Sequence, residues 1–151
     1  MDLAENRFRM ILNYELRSAR RCRRFVSLLS FGMGSAPAAV GETRQPSSDE
    51  SAGQASDAEL EELLKPTVRD SDELAVFNGN GFILMGETDG SGVQIAVQRF
   101  RDYLADKNVE VRFAIATYPY DGRSEEELLD VVQRRYEISK GMAPGIAVAV
   151  G

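Results

Sequence analysis

The chain has 151 residues with a formal charge of −6, 43% hydrophobic and 28% charged residues, a balance that suits one globular domain burying about two-thirds of its unfolded surface. A single cysteine, Cys22, and no histidine exclude disulfides, Cys/His zinc sites and Ser-His-Asp triads, so any catalysis would need carboxylates, lysine or a carboxylate-held metal. The acid excess opposes general nucleic-acid binding. No apolar run approaches the roughly 20 residues of a membrane span and MDLAENRFRM lacks the apolar stretch of a signal peptide, so the expected location is the cytoplasm, without membrane insertion.

Phe8, Ile11, Leu12, Leu16 and Ala19 recur at helical spacing and predict an amphipathic helix over about residues 5–22. Arg17, Arg20, Arg21, Arg23 and Arg24 form a basic cluster at its end, read as a solvated helix terminus. Phe25–Phe31, FVSLLSF, is a nearly continuous apolar run of strand length, as a strand in the middle of a sheet requires. From Gly32 to Ser56 the chain turns to Gly, Ala, Ser, Pro, Glu and Gln with almost nothing bulky. That composition predicts a flexible low-complexity insertion at about 32–56 within a single domain spanning 1–151.

Asp57 is a plausible N-cap for ELEELL, a short helix that must end near Pro66 or be kinked by it. Glu73–Phe77 and Phe82–Met85 then read as strands flanking Asn78-Gly79-Asn80-Gly81, a hairpin signal because Asn and Gly accept positive φ cheaply. Ser91 opens a helix with Val93, Ala96, Val97, Phe100 and Leu104 on one face, and Val109–Tyr118 reads as a strand. Ser124 and Glu127 form a capping box for a last helix whose stripe is Leu128, Leu129, Val132 and Tyr136. The tail GIAVAVG, Gly145–Gly151, reads as an added edge strand or a loose apolar end. Between the outer helices the order is strand, helix, strand, strand, helix, strand: the α+β, ferredoxin-like βαββαβ pattern with a mostly antiparallel sheet.

From Asn6 to Lys140 the chain resembles the GGDEF family of diguanylate cyclases. Asn6-Arg7-Phe8 is similar to the family's opening helix, FVSLLSF to its first strand, and Asn78-Gly79-Asn80-Gly81-Phe82 stands where GGDEF itself should be. Ile115-Ala116-Thr117-Tyr118-Pro119-Tyr120-Asp121-Gly122 is similar to the stretch G-V-A-x-Y-P-x-D-G, followed by E-E-L-L and a helix carrying Tyr136 and Lys140. The chain departs from the family after the first strand, where substrate-binding positions give way to the low-complexity segment.

The resemblance implies a cyclase reaction that joins two GTP molecules on a divalent metal held by carboxylates. Yet the family's strand-end acids fall on Gly32 and Gly34, and its hairpin acids on Asn80 and Gly81. Glycine offers no side-chain ligand and Asn80 no charge, so cyclase activity is expected to be lost, with no metal and no cofactor, and the hairpin is expected to be a type I′ turn without chemistry. Lys140 matches a lysine that contacts GTP phosphates in relatives, but without the metal it only finishes a helix.

Upstream, Arg69-Asp70-Ser71-Asp72 stands five residues before the degenerate NGNGF, the offset of the family's product-binding R-x-x-D motif. Among 15 arginines such a pattern is expected about once by chance, and Arg99-Phe100-Arg101-Asp102 is a second example, so position carries the argument. Arg99 matches a further arginine that relatives contribute from the next helix. An arginine fork can donate to guanine O6 and N7, and a carboxylate can accept from guanine N1 and N2. The resemblance therefore implies a receptor for cyclic di-GMP, bound as a stacked pair at Arg69, Asp72 and Arg99 and linking the domain to a protein partner or to a second copy. The alternative is a docking module of a signalling regulator that binds no nucleotide.

Overall fold

In a computed structural model the protein is described over residues 3–33, 57–143 and 145–150. The first helix, α1, spans Leu3–Cys22 and buries Phe8, Leu12, Leu16 and Ala19. Strand β1 follows as Val26–Met33, two residues longer at its end than the apolar run predicts. Gly32 and Met33 therefore belong to the strand and not to an insertion beginning at 32, because β4 continues to pair with them through Arg112 and Val111. The remainder of the proposed insertion, 34–56, lies outside the described residues.

Helix α2, Asp57–Leu64, gives way at Pro66 to a 3-10 turn, Lys65–Thr67, closed by the Thr67 hydroxyl donating to the Leu64 carbonyl at 2.7 Å. Proline lacks the amide that would continue the α-helical ladder, which is why the helix stops there. Strands β2, Asp72–Phe77, and β3, Asn80–Gly86, form the expected hairpin. Its turn is tighter than the four-residue signal implies. Phe77 pairs directly with Asn80, leaving Asn78 and Gly79 alone at the corner with φ of 55° and 77°, as a type I′ turn requires.

Helix α3 spans Gly90–Asp106 and is capped by Asp89, whose side chain accepts from the Gly92 amide, so the helix opens before Ser91. Strand β4 is Val111–Tyr118, two residues shorter at its start than predicted. Helix α4, Glu125–Ser139, has Ser124 as its N-cap, with the hydroxyl accepting from the Glu127 amide at 3.1 Å. The reciprocal half of the capping box is displaced by one residue, because Glu127 Oε1 accepts from the Arg123 amide at 2.8 Å. The tail supplies β5, Ala147–Val148, parallel to β4.

The sheet order is β2-β3-β1-β4-β5. Its first four strands are antiparallel neighbours, the arrangement that the split βαβ pattern produces. Alternate residues of β1 serve opposite faces, as the two-residue period of a strand dictates. Val26 and Leu28 join α1 and α4 in one core, while Leu29 and Phe31 join α2 and α3 in the other. Each face of the sheet is thus committed to one helix pair, which fixes where the hairpin and the β1 terminus stand.

Candidate functional site

Two places on the hairpin carry the sequence-predicted residues. At its turn, Asn78 Nδ2 donates to Glu5 Oε1 at 3.3 Å and so ties the corner to α1. Phe82 is buried against Phe77, with ring centroids 4.6 Å apart, and against Phe8 at 5.8 Å. Both residues are structural here. Asn80 and Gly81 open β3 on opposite faces of the sheet.

The positions on which the resemblance places the family's acids are filled from behind. A Cβ at Gly32 would run into the Tyr136 hydroxyl, and one at Gly81 would run into the Phe31 ring. Tyr136 is nearly fully buried. Burial raises its phenol above the ordinary tyrosine value although the Arg112 charge opposes this, so it stays protonated and uncharged at neutral pH. A divalent cation does not fit these residues. Gly32 and Gly81 have no side-chain ligand, a Cβ at either would meet the Tyr136 hydroxyl or the Phe31 ring, and the neutral Asn80 amide cannot offset two charges. Gly34 lies outside the described residues. The sequence marks Tyr136 only as part of a helix stripe; nothing local announces that its hydroxyl reaches β1.

At the opposite end of β2 the chain turns through Arg69-Asp70-Ser71-Asp72. The Asp72 amide donates to the Arg69 carbonyl at 3.0 Å, and the Arg69 amide donates back to Asp72 Oδ2 at 3.2 Å. This paired contact fixes the direction of the carboxylate while using one of its roughly four acceptor positions. Arg99 arrives from α3. Its guanidinium lies over the Phe100 ring, 5.2 Å from the centroid, and donates to the Thr67 carbonyl at 3.3 Å. Thr67 precedes Arg69 by two residues, so the 3-10 turn forced by Pro66 is what joins helix and motif.

The three predicted residues thereby share one neighbourhood. Desolvation is the largest influence on Asp72 and raises the half-buried carboxyl above its ordinary value. The Arg69 amide and the Arg69 and Arg99 charges act against it, favouring the ionised form. Among the described residues Arg69 has no ion pair, and it is exposed. A fork of donors, a second fork and an oriented carboxylate therefore gather at the edge of the sheet.

Neither a protein-family model nor a curated protein matches the sequence, but solved structures match the fold. The GGDEF domain of YfiN (TpbB) from Pseudomonas aeruginosa superposes with a TM-score of 0.75 at 17% identity, covering 95% of this chain and 93% of that one. The active GGEEF domain of a diguanylate cyclase from Vibrio cholerae gives 0.71 at 11% identity, covering 95% and 94%. A microbial GGDEF domain whose interaction with cyclic di-GMP has been described gives 0.68 at 14% identity, covering 91% and 85%. The chain has the fold of GGDEF domains.

Proposed function

We propose that this chain is a catalytically inactive GGDEF domain that acts as a cyclic di-GMP receptor through Arg69, Asp72 and Arg99. The observation that carries the reading is the convergence of those side chains: two guanidinium groups, from the β2 turn and from α3, act on one carboxylate whose direction the Arg69 amide holds. Arg69 donates its fork to the guanine O6/N7 edge, Asp72 accepts the N1 and N2 protons, and Arg99 meets the phosphate or the second base. An apolar or uncharged ligand would leave this charge unused.

Loss of turnover is supported by the packing at Gly32 and Gly81, where the Tyr136 hydroxyl and the Phe31 ring stand where a ligating side chain would have to begin. A diguanylate cyclase has to neutralise triphosphate charge, and these residues offer no carboxylate to hold the metal that does so. The domain then needs neither metal nor cofactor to bind its ligand.

Isothermal titration calorimetry of the purified chain with cyclic di-GMP tests the reading. The expected result is micromolar or tighter binding, lost in Arg69→Ala, with no heat from GTP plus Mg²⁺. Silence from the wild-type chain would overturn the receptor role. Conversion of GTP to the cyclic dinucleotide would overturn the loss of catalysis.

A further inference from the structure

We propose that the outer face of α1 is a docking seam for an acidic amphipathic helix of a partner protein, independent of nucleotide binding. The buried side of α1 is accounted for by Phe8, Leu12, Leu16 and Ala19. On the side facing away from the sheet, Leu3, Arg7, Met10, Tyr14, Arg17 and Arg21 are all exposed. Their spacing runs four, three, four, three, four, which lays them along one line of the helix at the repeat of a helix–helix seam. Leu3 is 82% exposed and Met10 and Tyr14 72% each, so three large apolar side chains stand in water on that single line.

The residue types point the same way. Protein interfaces are enriched in Met, aromatic residues and Arg, and depleted in Lys, Glu and Asp; the seam holds the first group and none of the second. The two acids of α1 are turned elsewhere, Glu5 toward Arg9 and Asn78 and Glu15 toward Gly86. Positive charge also gathers from a distant segment. Arg20 donates to the Arg123 carbonyl at 3.3 Å, bringing the β4–α4 loop and its exposed arginine beside the end of the seam. A chain of net charge −6 thus sets three of the five arginines of α1 on this one line.

Charge complementarity selects the occupant. A second copy laid seam on seam would set arginine against arginine. An anionic bilayer would meet, next to α1, the exposed Glu126, Glu127 and Asp130 of α4, which repel it. A single helix with apolar residues at heptad positions and glutamates flanking them fits the narrow seam, placing apolar side chains on Leu3, Met10 and Tyr14 and carboxylates on Arg7, Arg17 and Arg21.

The probe is a labelled synthetic peptide of three heptads, with leucine at the two seam positions and glutamate elsewhere, whose own charge keeps it from self-pairing. Binding to the full chain is followed by fluorescence anisotropy. The expected result is saturable binding, weakened at least tenfold by Arg17→Glu with Arg21→Glu and at least tenfold by Met10→Ser with Tyr14→Ser, and unchanged by Arg134→Glu on α4. If a double variant loses its helical circular dichroism, the corresponding single variants carry the same comparison. The proposal is overturned if the peptide does not bind, if Arg134→Glu weakens it equally, or if the apolar variants bind as wild type, which would reduce the seam to bulk charge. Sedimentation with phosphatidylserine vesicles, or self-association of the chain, that disappears in the same variants while the peptide stays unbound would assign the face to a membrane or to a second copy instead.

Discussion

The two ends of the β2–β3 hairpin have opposite fates. At the turn end, the positions on which the resemblance places the family's acids are glycine or asparagine, and a Cβ at Gly32 or Gly81 would meet a tyrosine hydroxyl or a phenylalanine ring. At the other end, Arg69, Asp72 and Arg99 stand in one neighbourhood, and burial raises the Asp72 carboxyl above its ordinary value. The filled corner is what the proposed loss of turnover requires, because unfilled space and unpaired polar groups both cost stability. Among the described residues Arg69 forms no ion pair, and exposed charge contributes little to folding, so under the proposed function the ligand and not stability accounts for it.

The sharpest way to break this contrast is to restore an acid at the closed end. Gly81→Glu forces a side chain into the Phe31 ring and should cost about 3 kcal/mol by overpacking, seen as a loss of roughly 6–12 °C in Tm. It should not restore cyclic dinucleotide synthesis. A variant that keeps its Tm and turns over GTP would show that the corner is open and the contrast false. At the charged end, Arg69→Ala should leave Tm unchanged while removing the nucleotide, because the guanidinium is exposed and surface charge adds little to stability.

These two ends were not equally legible in the sequence. The Asn78-Gly79 corner, the apolar stripes of α1, α3 and α4 and the alternation within β1 follow from local rules of φ and period, and the fold could be read from them. α3 opens at Gly90, capped by Asp89, and not at Ser91, because its start depends on where β3 releases the chain. The pairing of β5 with β4 is likewise tertiary: nothing in GIAVAVG distinguishes an edge strand from a loose end. The closed corner was half visible, as glycine at 32 and 81, whereas the residues that fill it come from β1 and α4. The Arg69, Asp72 and Arg99 trio could be named from the motif's offset, but the device that assembles it, Thr67 holding Arg99 across 32 positions, leaves no local pattern.

A smaller effect separates structure from site. Ser124→Ala removes the hydroxyl that accepts from the Glu127 amide and should lower stability by about 1 kcal/mol, measurable by urea denaturation. Because α4 packs on the face opposite the α3 cluster, cyclic di-GMP affinity should stay at the wild-type value. A loss of affinity here would mean that the two faces are coupled and that the hairpin ends cannot be treated separately.

The smallest change has the most informative sign. The Asp72 carboxyl is raised in the folded chain, so the native state holds the proton more tightly than the unfolded state does. The stability it contributes is full below the ordinary aspartate value and is lost as pH rises through the raised folded value. Asp72→Asn keeps an acceptor for the Arg69 amide and removes the charge. It should therefore match or exceed wild-type stability at neutral pH, by less than about 1 kcal/mol because the group is half exposed and screened, and the difference should shrink in acid. Nucleotide binding should run the other way: guanine N1 and N2 need the ionised carboxylate, so wild-type affinity should fall as pH drops through the raised value and Asp72→Asn should bind weakly at every pH. Stability and affinity with opposite pH slopes mark a charge kept for a ligand, and parallel slopes would return Asp72 to the role of a turn-forming residue.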